Sequence, residues 1–294
     1  MNSAYEIPLR NIRNYSELYD LISGLEFDTG ARITFDLREH DFIEPLEVVM
    51  LAMSIIYLKA NGCNVFLKMP EGRVGQCLSE IGLREFCLSN YQKSQTVDFI
   101  PSSTAMPIKR LDTEHMDEYI MKASKYFGAK CKGKDTTMLD LSIAELINNV
   151  YDHANSPIDA YIFSQYFPKS NQIKIVVGDI GQGIATTANR YFSANNQPKK
   201  ANWECVQWAL EVNKSSFSKP HNKGKGLNNI YSFVKSSNSI MRIFSDDVLL
   251  MCNQQRDRYC KNPIEHFIGT VVEVTINING MAIDDETVID SLWD

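Results

Sequence analysis

Residues 31–83 alternate strand and helix signals with only short connections between them, and that order leaves few folds open. ARITFDL (31–37) is rich in β-branched and aromatic side chains, alternates in polarity and reads as a buried strand. LEVVMLAMSIIYLKA (46–60) is an apolar helical stretch, stopped by Asn61-Gly62 as a C-cap stops a helix. NVFLKMP (64–70) is a second strand ending at Pro70, and VGQCLSEIGL (74–83) is a second short helix with Gly82 near its end. Strands separated by helices imply parallel pairing with helical crossovers, so the chain opens in the α/β class. Its 294 residues suit about two domains. A hydrophobic fraction of 44%, with 22% charged residues, supplies a core without any sign of global disorder.

Charge and cysteine usage narrow the setting. Thirty Lys+Arg against 36 Asp+Glu give a formal net charge of −6, which does not suit a broad basic surface for nucleic acid. No apolar run approaches the roughly 20 residues that span a bilayer. The opening MNSAYEIPLRNIRNY lacks the basic-then-apolar order of a secretory signal. Seven scattered cysteines contain no C-x-x-C pair and read as reduced thiols. The expectation is a cytoplasmic protein with no membrane and no nucleic-acid partner.

Residues 5–100 resemble the STAS domain of anti-anti-sigma factors. The resemblance rests on the strand ending Asp36-Leu37, the following Phe42-Ile43, the long apolar helix and the ending Ile81-Gly82-Leu83. Regulatory STAS proteins carry an Asp-Ser pair at the start of the long helix, where the serine accepts phosphate. Glu44-Pro45 stands there in this chain, and proline has no hydroxyl, although its fixed φ suits a first helical turn. The resemblance therefore implies a scaffold or interaction surface rather than a phosphoacceptor. A rival resemblance, to the phosphoacceptor box of sensor histidine kinases, runs from His40 through Pro45. That box needs a long helix and a second antiparallel helix, and the strand and turn signals around it leave no room. On this reading His40 is a surface residue in a loop. Residues 89–110 suit a connector or an edge strand around Thr96–Pro101, with a domain boundary near 105–112.

From residue 135 the chain carries chemistry. DTTMLDLSIAELINNVYDHANSP has helical periodicity, with Leu139, Ile143, Leu146, Ile147 and Val150 on one stripe. Asp135 suits the N-cap and Ser156-Pro157 the end. Glu145, Asn149 and Asp152 share another face, which either meets solvent or lines a site. QIKIVVGDIGQGI (172–184) is a strand running into Asp179, Gly181 and Gly183, an acid followed by spaced glycines where a chain can turn closely around a ligand. HNKGKGLNNI (221–230) places Lys223, Gly224, Lys225, Gly226 and Leu227 at the opening of a helix, where free N–H groups suit phosphate. IGTVVEVTINI (268–278) is a strand entered through Gly269-Thr270.

In this order and spacing these segments resemble the GHKL ATPase family: gyrase-type topoisomerases, the large heat-shock chaperone, histidine kinases, the MutL repair protein and the anti-sigma-factor kinases. The resemblance covers residues 112–280. It implies an α+β two-layer sandwich in which a mixed sheet carries helices on one face and ATP lies between those helices and a lid. It also implies roles. Asn149 would be the Mg2+ ligand, Asp179 the acceptor for the adenine amino group, and Asp152 an acid near base and ribose. Gly181 and Gly183 would allow close approach, Gly224 and Gly226 would bind β- and γ-phosphates, and Thr270 would support the adenine. Glu145 lies four residues before Asn149, where the hydrolysing branches and the anti-sigma kinases keep a base for water or a serine hydroxyl. His153 either follows the anti-sigma kinases or caps a helix end.

The expected organisation is a STAS-like α/β domain over 1–108, a GHKL domain over 109–280 with its lid at 185–223, and an acidic tail over 281–294. In the lid a helix is expected at 202–213. Of Lys199, Lys200, Lys214, Lys219, Lys223 and Lys225, one or two would reach the γ-phosphate. Trp203 and Trp208 read as lid packing, and residues 246–267 as a solvated hairpin. The functional expectation is an Mg-ATP-binding, slowly hydrolysing regulatory protein whose GHKL domain switches protein-partner or homodimer contacts of the STAS-like domain. The alternatives are an anti-sigma-type serine/threonine kinase acting on a separate STAS partner, and a non-catalytic ATP-dependent interaction module.

Overall fold

The computed structural model of the chain describes residues 3–9, 28–40, 42–84, 104–111, 116–153, 160–211, 226–261 and 267–284. For 149–153, 226, 267 and 268 it describes the backbone. Two sheets result. In the first, β1 (Ala4–Pro8), β2 (Arg32–Asp36) and β3 (Asn64–Lys68) lie parallel in that order, with Ile7, Phe35 and Leu67 in register. β2 and β3 are joined through α1 (Pro45–Ala60), and α2 (Gly72–Glu80) follows β3. This is the strand-and-helix order expected for residues 31–83, with β1 added from the N-terminal segment.

Local chemistry explains where α1 begins and ends. Pro45 opens it, and the Glu44 N–H donates to the Glu47 carboxylate at 2.6 Å, closing a capping box. Asn61 caps the far end, and Gly62 leaves it with φ +81°. Thirteen of its sixteen residues are buried, so neighbours must cover it on more than one side. One neighbour is the parallel sheet, through Ile33 and Phe35. The other is the second sheet.

That second sheet has seven strands in the order β4-β5-β6-β10-β7-β8-β9. They are β4 (Ala105–Leu111), β5 (Ala160–Phe167), β6 (Gln172–Asp179), β7 (Ile240–Asp246), β8 (Val248–Asn253), β9 (Asp257–Lys261) and β10 (Phe267–Asn277). Every pairing is antiparallel, where a mixed sheet was expected. Alternation divides its side chains between two cores. Ile173, Ile175, Val177, Val272, Val274 and Ile276 join the core formed with α3 (Met116–Gly128), α4 (Thr137–His153) and α7 (Gly226–Ser236). Tyr161, Phe163, Val176, Phe244 and Val271 point the other way and share a core with α1.

The contact between α1 and β6 is close. A Cβ added to Gly178 would lie 2.4 Å from Met53 Sδ and 3.0 Å from both Val49 and Val271. At its border Lys174 pairs with Glu44, the residue that caps α1, at 2.7 Å. On the same face Glu273, 1% exposed, pairs with Arg242. Burial raises its carboxyl above the usual range, and the charges of Arg242 and Lys174 act against that shift.

Several expectations change in detail. The boundary at 108/109 falls inside β4, an edge strand whose Ile108 N–H donates to the Ile81 carbonyl at 2.9 Å. The edge strand suggested at Thr96–Pro101 lies outside the described residues. His40 is buried, 8% exposed, rather than a surface residue. A strand, β3, follows α1, so the helical hairpin of a histidine phosphoacceptor box is not formed. The hairpin expected within 246–267 is β8–β9. At the end of the described chain, Asp135 N–H donates to Ala282 O at 3.0 Å and Asp284 N–H to Gly133 O at 3.2 Å, so this stretch docks beside the start of α4. Residues 285–294 lie outside the described set.

The close approach at Gly178 sets a stability test. Gly178→Val should lower unfolding free energy by about 1–3 kcal/mol in urea titration through overpacking. Met53→Ala in that background, which removes the atom nearest the new side chain, should recover part of the loss.

Candidate functional site

The ends of three adjacent strands build a polar row. Asp179 closes β6, stands in register with Thr270 of β10, and Thr270 stands in register with Ser245 of β7. Two residues deeper the same three strands present Val177, Val272 and Ile243, all buried. The row therefore lies at the rim of the core that packs α4 and α7 on the sheet.

Asp179 is 2% exposed, and its Oδ1 accepts the Gly181 N–H at 2.6 Å. Burial pushes its carboxyl up from 3.8 to about 7, and hydrogen bonds from the Gly181 and Thr270 backbones act in the opposite direction. Such a carboxyl at neutral pH gains from any further donor. Two glycines make the arrangement possible. Gly269 has φ +96°, at a register shift in β10, and a Cβ there would come within 2.0 Å of the Asp179 carbonyl oxygen. Gly183, with φ +74°, opens α5 (Gly183–Ala194), and a Cβ there would lie 2.9 Å from Asp246 Oδ2.

The turn between β7 and β8 closes this end. Ser245 Oγ accepts the Ile184 N–H at 2.9 Å and lies 3.3 Å from Thr270 Oγ1, while Asp246 Oδ2 accepts the Ala185 N–H at 3.3 Å. These contacts satisfy N–H groups in the first turn of α5 and favour its dipole. Ser245 and Asp246 were not read from the sequence as site residues. Only their place at the end of an apolar strand hints at a cap for another element.

α4 is the helix expected from its periodicity, with Leu139, Ile143, Leu146 and Ile147 buried. Asp135 Oδ1 accepts the Thr137 N–H at 2.9 Å, and hydrogen bonds from the Thr137 side chain and backbone hold its carboxyl below the usual range. Glu145 is half-buried, and its Oε1 accepts the Asn229 side-chain N–H of α7 at 3.3 Å. Burial raises the Glu145 carboxyl, and Asn229 works against that rise. The α4 backbone carries Asn149 one turn beyond Glu145, with Asp152 and His153 at its end, and the side chains of these three lie outside the described set. α7 begins at Gly226, as expected, followed by the half-buried Leu227. Lys223, Gly224 and Lys225 lie outside the described residues, as do Lys214 and Lys219.

The described part of the expected lid is a packed helical hairpin. α5 and α6 (Asn202–Ala209) enclose Ala185, Ala188, Phe192, Cys205 and Trp208. Trp208 lies 5.0 Å from Phe192 and 5.3 Å from Tyr191, which is the packing role expected for it. Trp203 is 48% exposed and meets Tyr259 edge-on at 6.2 Å. Lys200 stands over the Phe192 ring at 5.0 Å. Asn202 fastens the hairpin to Asp247 at 2.8 Å.

No protein-family model and no curated protein sequence matches the chain. Among the described residues no three His, Cys, Asp or Glu side chains cluster as a metal cage, and no helix is long and apolar enough to cross a membrane.

Asp179 yields a pH prediction. Its folded pKa exceeds the ordinary value, so the native state holds the extra proton. Its contribution to stability is full below about pH 4 and is lost as pH rises through about 7. The wild-type melting temperature should therefore fall across that window more steeply than that of Asp179→Asn, compared by scanning calorimetry.

Proposed function

We propose that the chain is an Mg-ATP-binding, slowly ATP-hydrolysing regulatory protein, with a GHKL-type nucleotide site on the seven-stranded sheet and a STAS-like unit built around α1. The observation that carries this reading is the buried Asp179 carboxyl, beside Thr270, at the start of the Gly181–Gly183 turn. A buried acceptor of raised proton affinity suits an exocyclic amino group, which would replace the proton as its partner. Thr270, in register beside it, adds a hydroxyl at the same end of the sheet. The donor set also suits the metal, because Asn149 would offer an amide oxygen to Mg2+ one turn beyond Glu145. Mg2+ would neutralise phosphate charge. Gly224 and Gly226, with Lys223 and Lys225, would bind the phosphates ahead of α7.

Glu145 is the base in this reading. It takes a proton from an attacking water, and its half-burial raises its proton affinity. Asn229 keeps one of its oxygens occupied. Regulation follows from where α1 sits. β6 ends in Asp179 on one face and presents Gly178 and Lys174 to α1 and Glu44 on the other. A nucleotide that favours one position of the strand end would therefore bias the α1 contact.

Calorimetry with Mg-ATP tests the reading. Wild type should bind with proton release near pH 7, seen as buffer-dependent heat, because an amino-group donor lowers the pKa of Asp179. Asp179→Asn should lose both binding and proton release. Glu145→Ala should keep binding and lose phosphate release by roughly 100-fold or more. Label from γ-labelled ATP should appear as free phosphate, and label on protein would favour the kinase alternative. No binding heat at millimolar Mg-ATP would sink the reading.

A further inference from the structure

We propose that Asn229 is the positioning residue for the Glu145 carboxylate, fixing one of its oxygens. The proposal deepens the Mg-ATP reading above and rests on it for its catalytic meaning. Asn229 is the fourth residue of α7, in the turn that follows Gly226. Its side-chain N–H donates to Glu145 Oε1 at 3.3 Å, across the packed boundary between α7 and α4. Leu146 and Ile147 of α4 and Ile230, Phe233 and Val234 of α7 lie in one core, which keeps the two helices in register. The neighbouring Asn228 donates to the Leu210 carbonyl at 2.8 Å, at the end of α6. The first turn of α7 is thus fastened to the helical hairpin by one amide and to Glu145 by the next.

The chemistry of an amide suits this role. Its N–H donor occupies Oε1 and leaves Oε2 to face a water. It neither takes up nor gives up a proton near neutral pH, so it orients the carboxylate without competing for the proton transferred. It also stabilises the charged form, in opposition to burial. Residues 223–226, which would hold the phosphates, lead directly into the turn that carries Asn229.

The test compares full-length wild type with Asn229→Ala, the near-isosteric Asn229→Asp and Asn228→Ala. Carbon-detected NMR follows the Glu145 carboxyl without nucleotide, assigned with Glu145→Gln, and phosphate release is measured against pH with Mg-ATP. Glu145 should titrate at higher pH in Asn229→Ala and higher still in Asn229→Asp, where a second carboxylate faces it. Asn228→Ala should leave that titration in place. In Asn229→Ala kcat should fall about tenfold, KM should change less than about threefold, and the acid limb of the rate profile should move to higher pH. A Glu145 titration unmoved in both Asn229 variants overturns the proposal, even where kcat drops. An equal shift in Asn228→Ala also overturns it, because the effect would then belong to the helix rather than to the amide. Calorimetry separates the two levels: absent Mg-ATP binding defeats the nucleotide reading, while a moved titration still supports the Asn229–Glu145 pair.

Discussion

The seven-stranded sheet is apolar on both faces, and everything else depends on how each face is covered. α3, α4 and α7 cover one face, and α1, which comes from the parallel βαβ unit, covers part of the other. Tyr161, Phe163, Val176, Phe244 and Val271 lie in the α1 core at 2% exposure or less. Burying side chains of this size is worth about 2 kcal/mol each, as an upper estimate. Their sum is comparable with the roughly 5–15 kcal/mol by which an ordinary domain is stable. The α1 contact is therefore an essential part of the core, and Gly178 is the position that lets helix and sheet approach closely enough to form it.

On the opposite face, electrostatics sets the character of the site. Asp179 is held at the edge of an apolar core with backbone donors for company, and it is left with a strong affinity for one more proton or donor. Glu145 is held less deeply and is moderated by an amide. The two carboxyls have different surroundings, and in the proposed reading they would serve different tasks, recognition for the first and proton transfer for the second. The end of β7 bounds the Asp179 end of the sheet, because Ser245 and Asp246 accept the Ile184 and Ala185 N–H groups of α5.

Much of this was legible in the sequence because it is local. The αβ alternation of residues 31–83, the proline that opens α1, the stripe on α4, the helix start at Gly226 and the glycine-spaced turn after β6 are written in neighbouring residues. What was not legible depends on partners far along the chain. β4 carries a proline, β5 is an aromatic run interrupted by Ser164-Gln165, and β7 follows a serine-rich turn, so none has a strong signal of its own before its neighbours are known. The Asn229–Glu145 contact joins residues 84 apart in sequence, and Ser245 reaches Ile184 across 61. The burial of His40 likewise depends on tertiary surroundings, since the charged Arg38-Glu39 before it gives no warning of it.

The location of α1 bears on how the protein can be dissected. A cut at residue 109 would sever β4, leave Ile108 and its bond to Ile81 on the N-terminal piece, and strip α1 from β5 and β6. The excised C-terminal piece would present bare tyrosine, phenylalanine and valine to water and would self-associate through them. Lys174 would lose its Glu44 partner while Glu273 kept Arg242. The parallel unit would in turn leave one side of its central helix uncovered. The stretch that resembles a first module shares the α1 core with the second sheet, so work on either half needs the whole chain.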